Sequence, residues 1–281
     1  MHRKIPSGYN LYMDHAPALS FSQMLTHWQI LQSKNMLSLI LSLPAGILIG
    51  LLINYLSDVL PTTRRFSRPT CPNCCQAWQL WDYVIGTRCP HCGQRKTLRW
   101  AIVFVGTVII CGLLTVFPPP EMGFWAALPL LVFFGVIGVI DSEHRLVLIE
   151  TSLFGLVLCL VYGVLLHNLA PTLFGGAGGL LMTLLFFLLG KASVKILGVW
   201  RGEKANREAF GFGDVFAGSF MGLLTGWPRI VGAILIGLLV FVVFSLVYIG
   251  VLLALRRYRT FATVLPVTPF LVIGVVVVLY L

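Results

Sequence analysis

Charged side chains are scarce in this sequence. Only 11% of its 281 residues are charged and ten are acidic, whereas 58% are hydrophobic. A soluble domain carries about a quarter charged residues, so this composition excludes an ordinary soluble protein. The apolar stretches are repeatedly long enough for the roughly 20 residues that cross a bilayer core. We therefore predict an all-α polytopic membrane protein.

The sequence predicts about eight transmembrane helices, of which the sixth is short. Their approximate bounds are 36–56, 100–117, 124–140, 151–167, 171–190, 214–227, 230–255 and 262–281. Pro61, the triple proline Pro118–Pro120, Pro171 and Pro228 lie at their ends as ordinary stop signals. The predicted organisation is an N-terminal segment (1–35), a first transmembrane helix (36–63), a cysteine-containing loop (64–99) and a membrane domain (100–281).

Basic residues are distributed unevenly about these spans. With the N-terminus outside the cytoplasm, sixteen of the twenty Lys and Arg residues fall in cytoplasmic segments and four fall outside. This asymmetry follows the positive-inside rule. Membrane orientation thus explains the formal net charge of +10, and we expect contact with membrane lipid and no nucleic-acid partner.

Residues 1–35 lack the apolar core and the small-residue cleavage site of a signal peptide. Apolar residues recur in this segment at helical spacing: Phe21, Met24, Leu25, Trp28 and Leu31. We expect a short amphipathic helix at the bilayer surface, with disorder as the alternative.

Four of the seven cysteines form two Cys-x2-Cys pairs between the first two spans. Cys71 and Cys74 precede Cys89 and Cys92, with fourteen residues between the pairs. This spacing is close to a zinc ribbon, in which four thiolates bind Zn²⁺ tetrahedrally. Disulfides or free thiols are the alternative, and disulfides are rare in the reducing cytoplasm. We predict a structural zinc, for which the adjacent Cys75 could compete.

Two aspartates lie directly beside long apolar runs, where ionisable residues suggest function. Asp141 ends the third span and Asp214 begins the sixth, so the predicted topology places both at the cytoplasmic surface. Gly211 and Gly213 would let the backbone before Asp214 approach another helix closely. Paired carboxylates can divide hydrolysis between a base and an acid.

The helix ends suggest which aspartate has which role. A helix N-terminus favours the ionised form of Asp214, and a helix C-terminus favours the protonated form of Asp141. Asp214 would then start as the base and Asp141 as the acid. The alternative is structural: Asp214 caps a helix, and Asp141 marks the membrane boundary.

Several motifs occur in an order that resembles the type IV prepilin peptidases, a family of Gly-x-Gly-Asp intramembrane aspartic proteases. The similarity runs from about residue 43 to the C-terminus. Its elements are Gly46, Gly50, Asn54 and Pro61, the four-cysteine loop, Arg99 and Trp100, "IDSEHRLVL" (140–148), "EAFGFGD" (208–214) and "LPVTPFLVIG" (265–274).

The resemblance implies a bacterial inner-membrane endopeptidase that removes the leader of type IV prepilins or pseudopilins. Asp141 and Asp214 would be catalytic, and residues 100–281 would form the peptidase domain. Family members with the cysteine loop often also methylate the new N-terminus using S-adenosylmethionine.

The sequence departs from the family pattern at Val59, Phe104, Leu148 and Phe216. An inactive relative that serves as a pilus or secretion assembly subunit is therefore a second hypothesis. A proton- or cation-coupled transporter is a third, although such carriers usually show related halves. The sequence leaves the oligomeric state open.

Overall fold

The computed structural model describes residues 21–64, 66–71, 73–86, 88–144, 148–201, 212–255 and 266–281. The regular secondary structure of this part of the chain is helical apart from two isolated β-bridges in the cysteine loop. The helices are α1 (Phe21–Thr63), α2 (Leu80–Ile85), α3 (Leu98–Val116), α4 (Gly123–His144), α5 (Ile149–His167), α6 (Leu169–Arg201), α7 (Phe212–Thr225), α8 (Arg229–Ala254) and α9 (Thr268–Tyr280). The predicted all-α fold is confirmed.

Six of the described helices are long and apolar enough to cross a membrane: α1 from Ile40 onward, α3, α4, α5, α6 as far as Ala192, and α8. Helices α7 and α9 occupy the sixth and eighth predicted spans but contain only 14 and 13 residues. At 1.5 Å per residue they are about 20 Å long, short of the roughly 30 Å hydrocarbon core. The polytopic fold is confirmed, and the count of about eight spans stays a prediction.

Helix α1 contains 43 residues and continues through residue 35, where the sequence suggested a division between two segments. Pro44 and Pro61 lie inside it, so Pro61 comes near the end of the helix without terminating it at once. Residues 21–35 are helical, and residues 1–20 lie outside the described residues. The placement of 21–35 at the bilayer surface stays a prediction.

Small residues of α1 allow α3 to pack closely against it. A Cβ atom at Gly46 would lie 3.1 Å from the backbone of α3, and one at Gly50 would lie 3.2 Å from the ring of Phe104. One turn later, the buried Asn54 donates hydrogen bonds from Nδ2 to the carbonyl oxygens of Gly50 and Trp100. The Gly-x3-Gly-x3-Asn motif thus fixes the two helices between which the cysteine loop is inserted.

Helices α6 and α7 meet through glycines spaced four residues apart. A Cβ atom at Gly179 would lie 2.1 Å from the carbonyl oxygen of Gly218, and one at Gly222 would lie 2.2 Å from that of Gly175. Only glycine leaves room for backbones this close, as in the Gly-x3-Gly contacts of membrane helices. This interface holds α7, and therefore Asp214, in position.

Helices α4 and α7 run antiparallel through the core. Near their middles, the rings of Phe133 and Phe220 pack with centroids 5.2 Å apart. Beyond one end, Arg229, which follows α7, donates a 2.8 Å hydrogen bond to Glu121, which precedes α4. Along α4 the chain passes from Glu121 to Phe133, whereas along α7 it passes from Phe220 towards Arg229, so the two helices point in opposite directions. The last turn of α4 and the first turn of α7 therefore lie at the same end of the molecule.

Candidate active site and metal centre

The predicted metal ligands are brought together. The sulfur atoms of Cys71, Cys74, Cys89 and Cys92 lie within 4.8 Å of one another. Sγ of Cys71 is 3.7 Å from Sγ of Cys92, and the distance from Cys74 to Cys89 is the same. Four sulfurs bound at about 2.3 Å around a tetrahedral Zn²⁺ are separated by about 3.8 Å. The cluster therefore fits the predicted structural zinc.

The two Cys-x2-Cys pairs fold into matching turns. The amide of Cys75 donates to the carbonyl of Cys71, and the amide of Gly93 donates to that of Cys89, both at 2.9 Å. Cys75 and Gly93 are equivalent residues with positive φ angles of 56° and 71°. Cys75 is exposed and lies outside the sulfur cluster, as does His91. The extra thiol therefore occupies a turn position and not a ligand position.

The thiols of the cluster differ in acidity. Burial opposes ionisation of Cys71, but hydrogen bonds from the amides of Cys74 and Asn73 and from the thiols of Cys92 and Cys74 together lower the pKa of this thiol to about 7. The amide of Gln76 favours the thiolate of Cys74, but burial and the neighbouring thiols raise its pKa to about 12. Several thiolates this close repel one another, so a bound divalent cation would stabilise all four in the ionised form.

Charged residues tie the cysteine loop to the helix bundle. The hydroxyl of Tyr83, in α2, donates a 2.5 Å hydrogen bond to Oδ2 of Asp58, near the end of α1. Arg99, in the first turn of α3, forms ion pairs with both Asp58 and Glu143, in the last turn of α4. Burial, followed by the charge of Asp58, raises the pKa of the Tyr83 phenol, so it remains a donor. Asp58, in α1, thus contacts the cysteine loop through Tyr83, and Arg99 extends this connection to α3 and α4.

Asp214 lies in the first turn of α7 and is 7% exposed. The hydroxyl of Thr268, at the start of α9 and itself fully buried, donates a 2.7 Å hydrogen bond to Oδ1 of Asp214. Gly213 precedes the aspartate in the same turn, whereas Gly211 lies outside the described residues. A helix N-terminus and a hydroxyl donor both stabilise negative charge at this position.

Asp141 lies in the last turn of α4 and is 6% exposed. The antiparallel packing of α4 and α7 puts it at the same end of the molecule as Asp214. The start of α9 connects the two positions: Thr268 contacts Asp214, and Pro269 lines a cleft with Ser142, the residue after Asp141. Two aspartates that are 73 positions apart in sequence thus lie on helix ends that flank one helix start.

A cleft of about 390 Å³ opens between α3, α4 and α9; Ser142, the residue after Asp141, lines it, but neither aspartate does. Gly138 and Ser142 of α4 form one wall, and Pro269 of α9 forms part of the other. A Cβ atom at Gly138 would meet nothing within 4 Å, so the glycine leaves this wall open. Arg99 and Glu143 provide the polar end of the cleft. Its volume falls within the range of small-ligand sites.

Two features of the site were missed in the sequence. Thr268 is 54 residues from Asp214, and a lone Thr before a proline carries no signal that would pair it with a carboxylate. The contacts of Arg99 with Asp58 and Glu143 also join residues that are far apart in the sequence. The available signal for Asp58 was a carboxylate inside the otherwise apolar end of a span.

Fold and site together define a polytopic, all-helical membrane protein with a four-cysteine metal site. A prepilin leader peptidase/N-methyltransferase from Pectobacterium carotovorum subsp. carotovorum is 31% identical over 218 residues, which cover 73% of this chain and 71% of the relative. No family model and no solved structure matches the chain. The similarity to the Pectobacterium protein is extensive enough to show that this chain belongs to the prepilin leader peptidase/N-methyltransferase family.

Proposed function

We propose that this protein is an intramembrane aspartic endopeptidase of the bacterial inner membrane. It removes the leader peptide of type IV prepilins or pseudopilins at the cytoplasmic face. The observation that carries this proposal is the burial of Asp141 and Asp214 at one end of the bundle, on either side of the start of α9. The name of the Pectobacterium relative supports the same substrate class.

In the proposed reaction, Asp214 is the first base and Asp141 is the first acid. Asp214 accepts a proton from the water that attacks the scissile carbonyl carbon, and Asp141 donates its proton to the leaving nitrogen. The N-terminus of α7 and the Thr268 hydroxyl favour the carboxylate of Asp214. The C-terminus of α4 favours the protonated form of Asp141. The pair of aspartates gains one proton from the water and gives one to the leaving nitrogen. Proton exchange between the two carboxyl groups then restores the starting state.

The cleft between α3, α4 and α9, which Ser142 lines, is the proposed entry site for the peptide segment that is cut. Its wall of Gly138 and Ser142 leaves room for an extended backbone, and Pro269 places the cleft beside the helix that carries Thr268. The cysteine loop has a structural role, since four thiolate ligands leave zinc no open position for a water. The second proposed activity is methylation of the new N-terminus, for which S-adenosylmethionine supplies the methyl group.

The experiment follows leader removal by mass spectrometry. Detergent-solubilised full-length protein is incubated with a prepilin, alongside the variants Asp141→Asn and Asp214→Asn. Each variant should lose cleavage at least about 1,000-fold, because neither proton transfer can be replaced by an amide. Glu121→Gln is the matched control: it also neutralises a carboxylate, but at the other end of α4 on an exposed side chain. This control should cut at the wild-type rate.

Other outcomes separate the alternative functions. A wild-type protein that binds prepilin without cutting it would contradict the peptidase and favour an assembly subunit. Proton-driven uptake in vesicles without cleavage would favour a transporter. Cleavage that persists in either aspartate variant would exclude the paired-aspartate mechanism. The same mass spectrum reports a methyl group when S-adenosylmethionine is present.

A further inference from the structure

A second, larger groove lies on the outside of the bundle, between α1, α4 and α5. Its volume is about 640 Å³. Leu52, Leu56 and Leu60 of α1 form one wall, Val136 of α4 forms part of the floor, and Phe154 of α5 lies on the opposite rim. Leu52 and Phe154 are 43% and 61% exposed, so both rims reach the outer surface. Because α1, α4 and α5 are membrane spans, the groove opens toward the bilayer.

The length of the groove corresponds to one leaflet of a membrane. Along α1 its lining extends from Leu52 to Arg64, twelve positions further on. At 1.5 Å per residue this is about 18 Å. Half of the roughly 30 Å hydrocarbon core is about 15 Å. A transmembrane helix of a partner would need a groove across the whole core, whereas an acyl chain needs only one leaflet. The length therefore favours a lipid chain.

Two opposite charges lie at the end of the groove that the predicted topology places at the cytoplasmic surface. Arg64 follows the last residue of α1, and Glu150 lies in the first turn of α5; both line the groove. Nη1 of Arg64 and Oε1 of Glu150 are 4.0 Å apart, and the two side chains are 69% and 52% exposed. An ion pair this long and this exposed contributes little to stability. Both charges are therefore accessible to the head group of a lipid.

The backbone holds Arg64 in a conformation that residues with a side chain rarely adopt. Its φ angle is 52°, in the left-handed region. Its amide still donates a 3.1 Å hydrogen bond to the carbonyl of Leu60, so the chain turns away from the helix axis at this residue. Residues held in such conformations are frequent at ligand sites. Phe66, which is 81% exposed, extends the apolar lining past the end of α1. The turn thus places a charge and an aromatic ring at one end of the groove.

We infer that this groove binds one phospholipid of the phosphatidylethanolamine class from the cytoplasmic leaflet. An acyl chain lies along the leucines of α1, the phosphate pairs with Arg64, and the ammonium pairs with Glu150. A guanidinium can donate two parallel hydrogen bonds to a phosphate, and a primary ammonium has three N–H donors for a carboxylate. Phosphatidylglycerol has the phosphate but no cation for Glu150, and the quaternary ammonium of phosphatidylcholine has no N–H donor. Both should bind more weakly.

The bound lipid packs against the helix that carries one candidate catalytic residue. Phe133 and Ile137 of α4 line the groove, and Asp141 follows Ile137 by four positions, one turn further along the same face. Gly138 and Ser142 line the cleft between α3, α4 and α9 instead. Helix α4 therefore separates the lipid from the proposed entry site of the peptide, and the lipid supports this helix from the other side.

The test measures lipid binding by native mass spectrometry, so it does not depend on catalysis. Delipidated full-length protein in detergent is titrated with the dioleoyl forms of phosphatidylethanolamine, phosphatidylglycerol and phosphatidylcholine. Leu52→Trp places a large ring at the exposed rim of the groove, and we expect at least tenfold weaker binding of phosphatidylethanolamine. Leu48→Trp is the matched control: it lies one turn earlier in α1, is 68% exposed and does not line the groove. It should bind like wild type.

Two further variants test recognition of the head group. Glu150→Gln keeps the shape of the side chain but removes its charge, so the preference for phosphatidylethanolamine over phosphatidylglycerol should fall several-fold. A merely structural effect would weaken both lipids equally. Arg64→Gln should weaken both, because both carry a phosphate. Arg68→Gln is its control, since Arg68 is exposed and does not line the groove.

Several outcomes would overturn the inference. They are equal binding of the three lipids by wild type, wild-type affinity in Leu52→Trp, and an unchanged lipid preference in Glu150→Gln. A dimer that dissociates in Leu52→Trp would assign the groove to a second copy of this chain. Loss of prepilin binding in Leu52→Trp with unchanged lipid binding would assign it to the substrate. Because the readout is lipid binding, failure of the proposed peptidase would leave this result unaffected.

Discussion

A buried hydroxyl group donates a hydrogen bond to one candidate catalytic carboxylate. Thr268 is completely buried and donates to Asp214, which lies in a different helix. A buried carboxylate needs such donors, because it has lost the hydrogen bonds that water would supply. The first residue of the short helix α9 thus contacts Asp214, in addition to the packing of this helix against α8.

Replacing Thr268 with Val removes the donor while keeping the side-chain volume. Hydrogen bonds to charged groups contribute about 1.5–3 kcal/mol, so the kcat/KM for leader removal should fall roughly 10- to 100-fold. Thr268→Ser keeps the hydroxyl and should restore most of the activity. A Val variant that is folded and fully active would contradict the role of this hydrogen bond at Asp214.

Cys75 occupies a backbone conformation that suits glycine. Its φ of 56° matches the position of Gly93 in the second turn, and a non-glycine residue in this region costs about 1 kcal/mol. Cys75→Gly should therefore slow the transfer of zinc to a chelator by up to about fivefold. Cys75→Ala also removes the thiol but keeps the strained φ, so it serves as the control. Equal zinc release from the Gly and Ala variants would show that the thiol, and not the backbone, decides the effect.

At the scale of helices, close glycine contacts determine where Asp214 lies. Helix α7 has only 14 residues, and its glycine face lies against that of α6. Lipid tails are as apolar as leucine side chains, so helix association in a membrane depends on such close packing. A change in this interface should therefore move the candidate base without touching it.

Gly222→Leu places a side chain where a Cβ atom alone would lie 2.2 Å from a carbonyl oxygen. Overpacking of this kind costs 1–3 kcal/mol or more, so we expect the thermal midpoint to fall by at least about 5 °C, with loss of cleavage. Gly106→Leu in α3 is the control, because nothing lies within 4 Å of a Cβ atom there. A Gly222 variant as stable and active as the control would contradict the role of the glycine face.

At the scale of the whole molecule, composition and charge predicted the membrane class, and cysteine spacing predicted the metal cluster. Composition and charge are sums over the chain, and cysteine spacing is a local pattern, so a single sequence shows both. The continuous helix α1 and the contact from Thr268 to Asp214 were not predictable in the same way, because neither leaves a periodic pattern. The joining of Asp58 and Glu143 through Arg99 depends on the packing of three helices, which a single sequence does not encode as a local motif.

The orientation of the molecule in the membrane remains a prediction with a direct test. The cysteine loop and the two aspartates should face the cytoplasm, and the α3–α4 connection should face outward, because most basic residues lie on the loop side. A membrane-impermeant maleimide applied to right-side-out vesicles should not label wild-type protein, whose exposed Cys75 would be inside. Pro120→Cys, at an exposed position of the outward connection, should be labelled. Wild-type protein should react once detergent opens the vesicles. Labelling of wild type in sealed vesicles would invert the topology and move both aspartates to the wrong face for cutting a cytoplasmic leader.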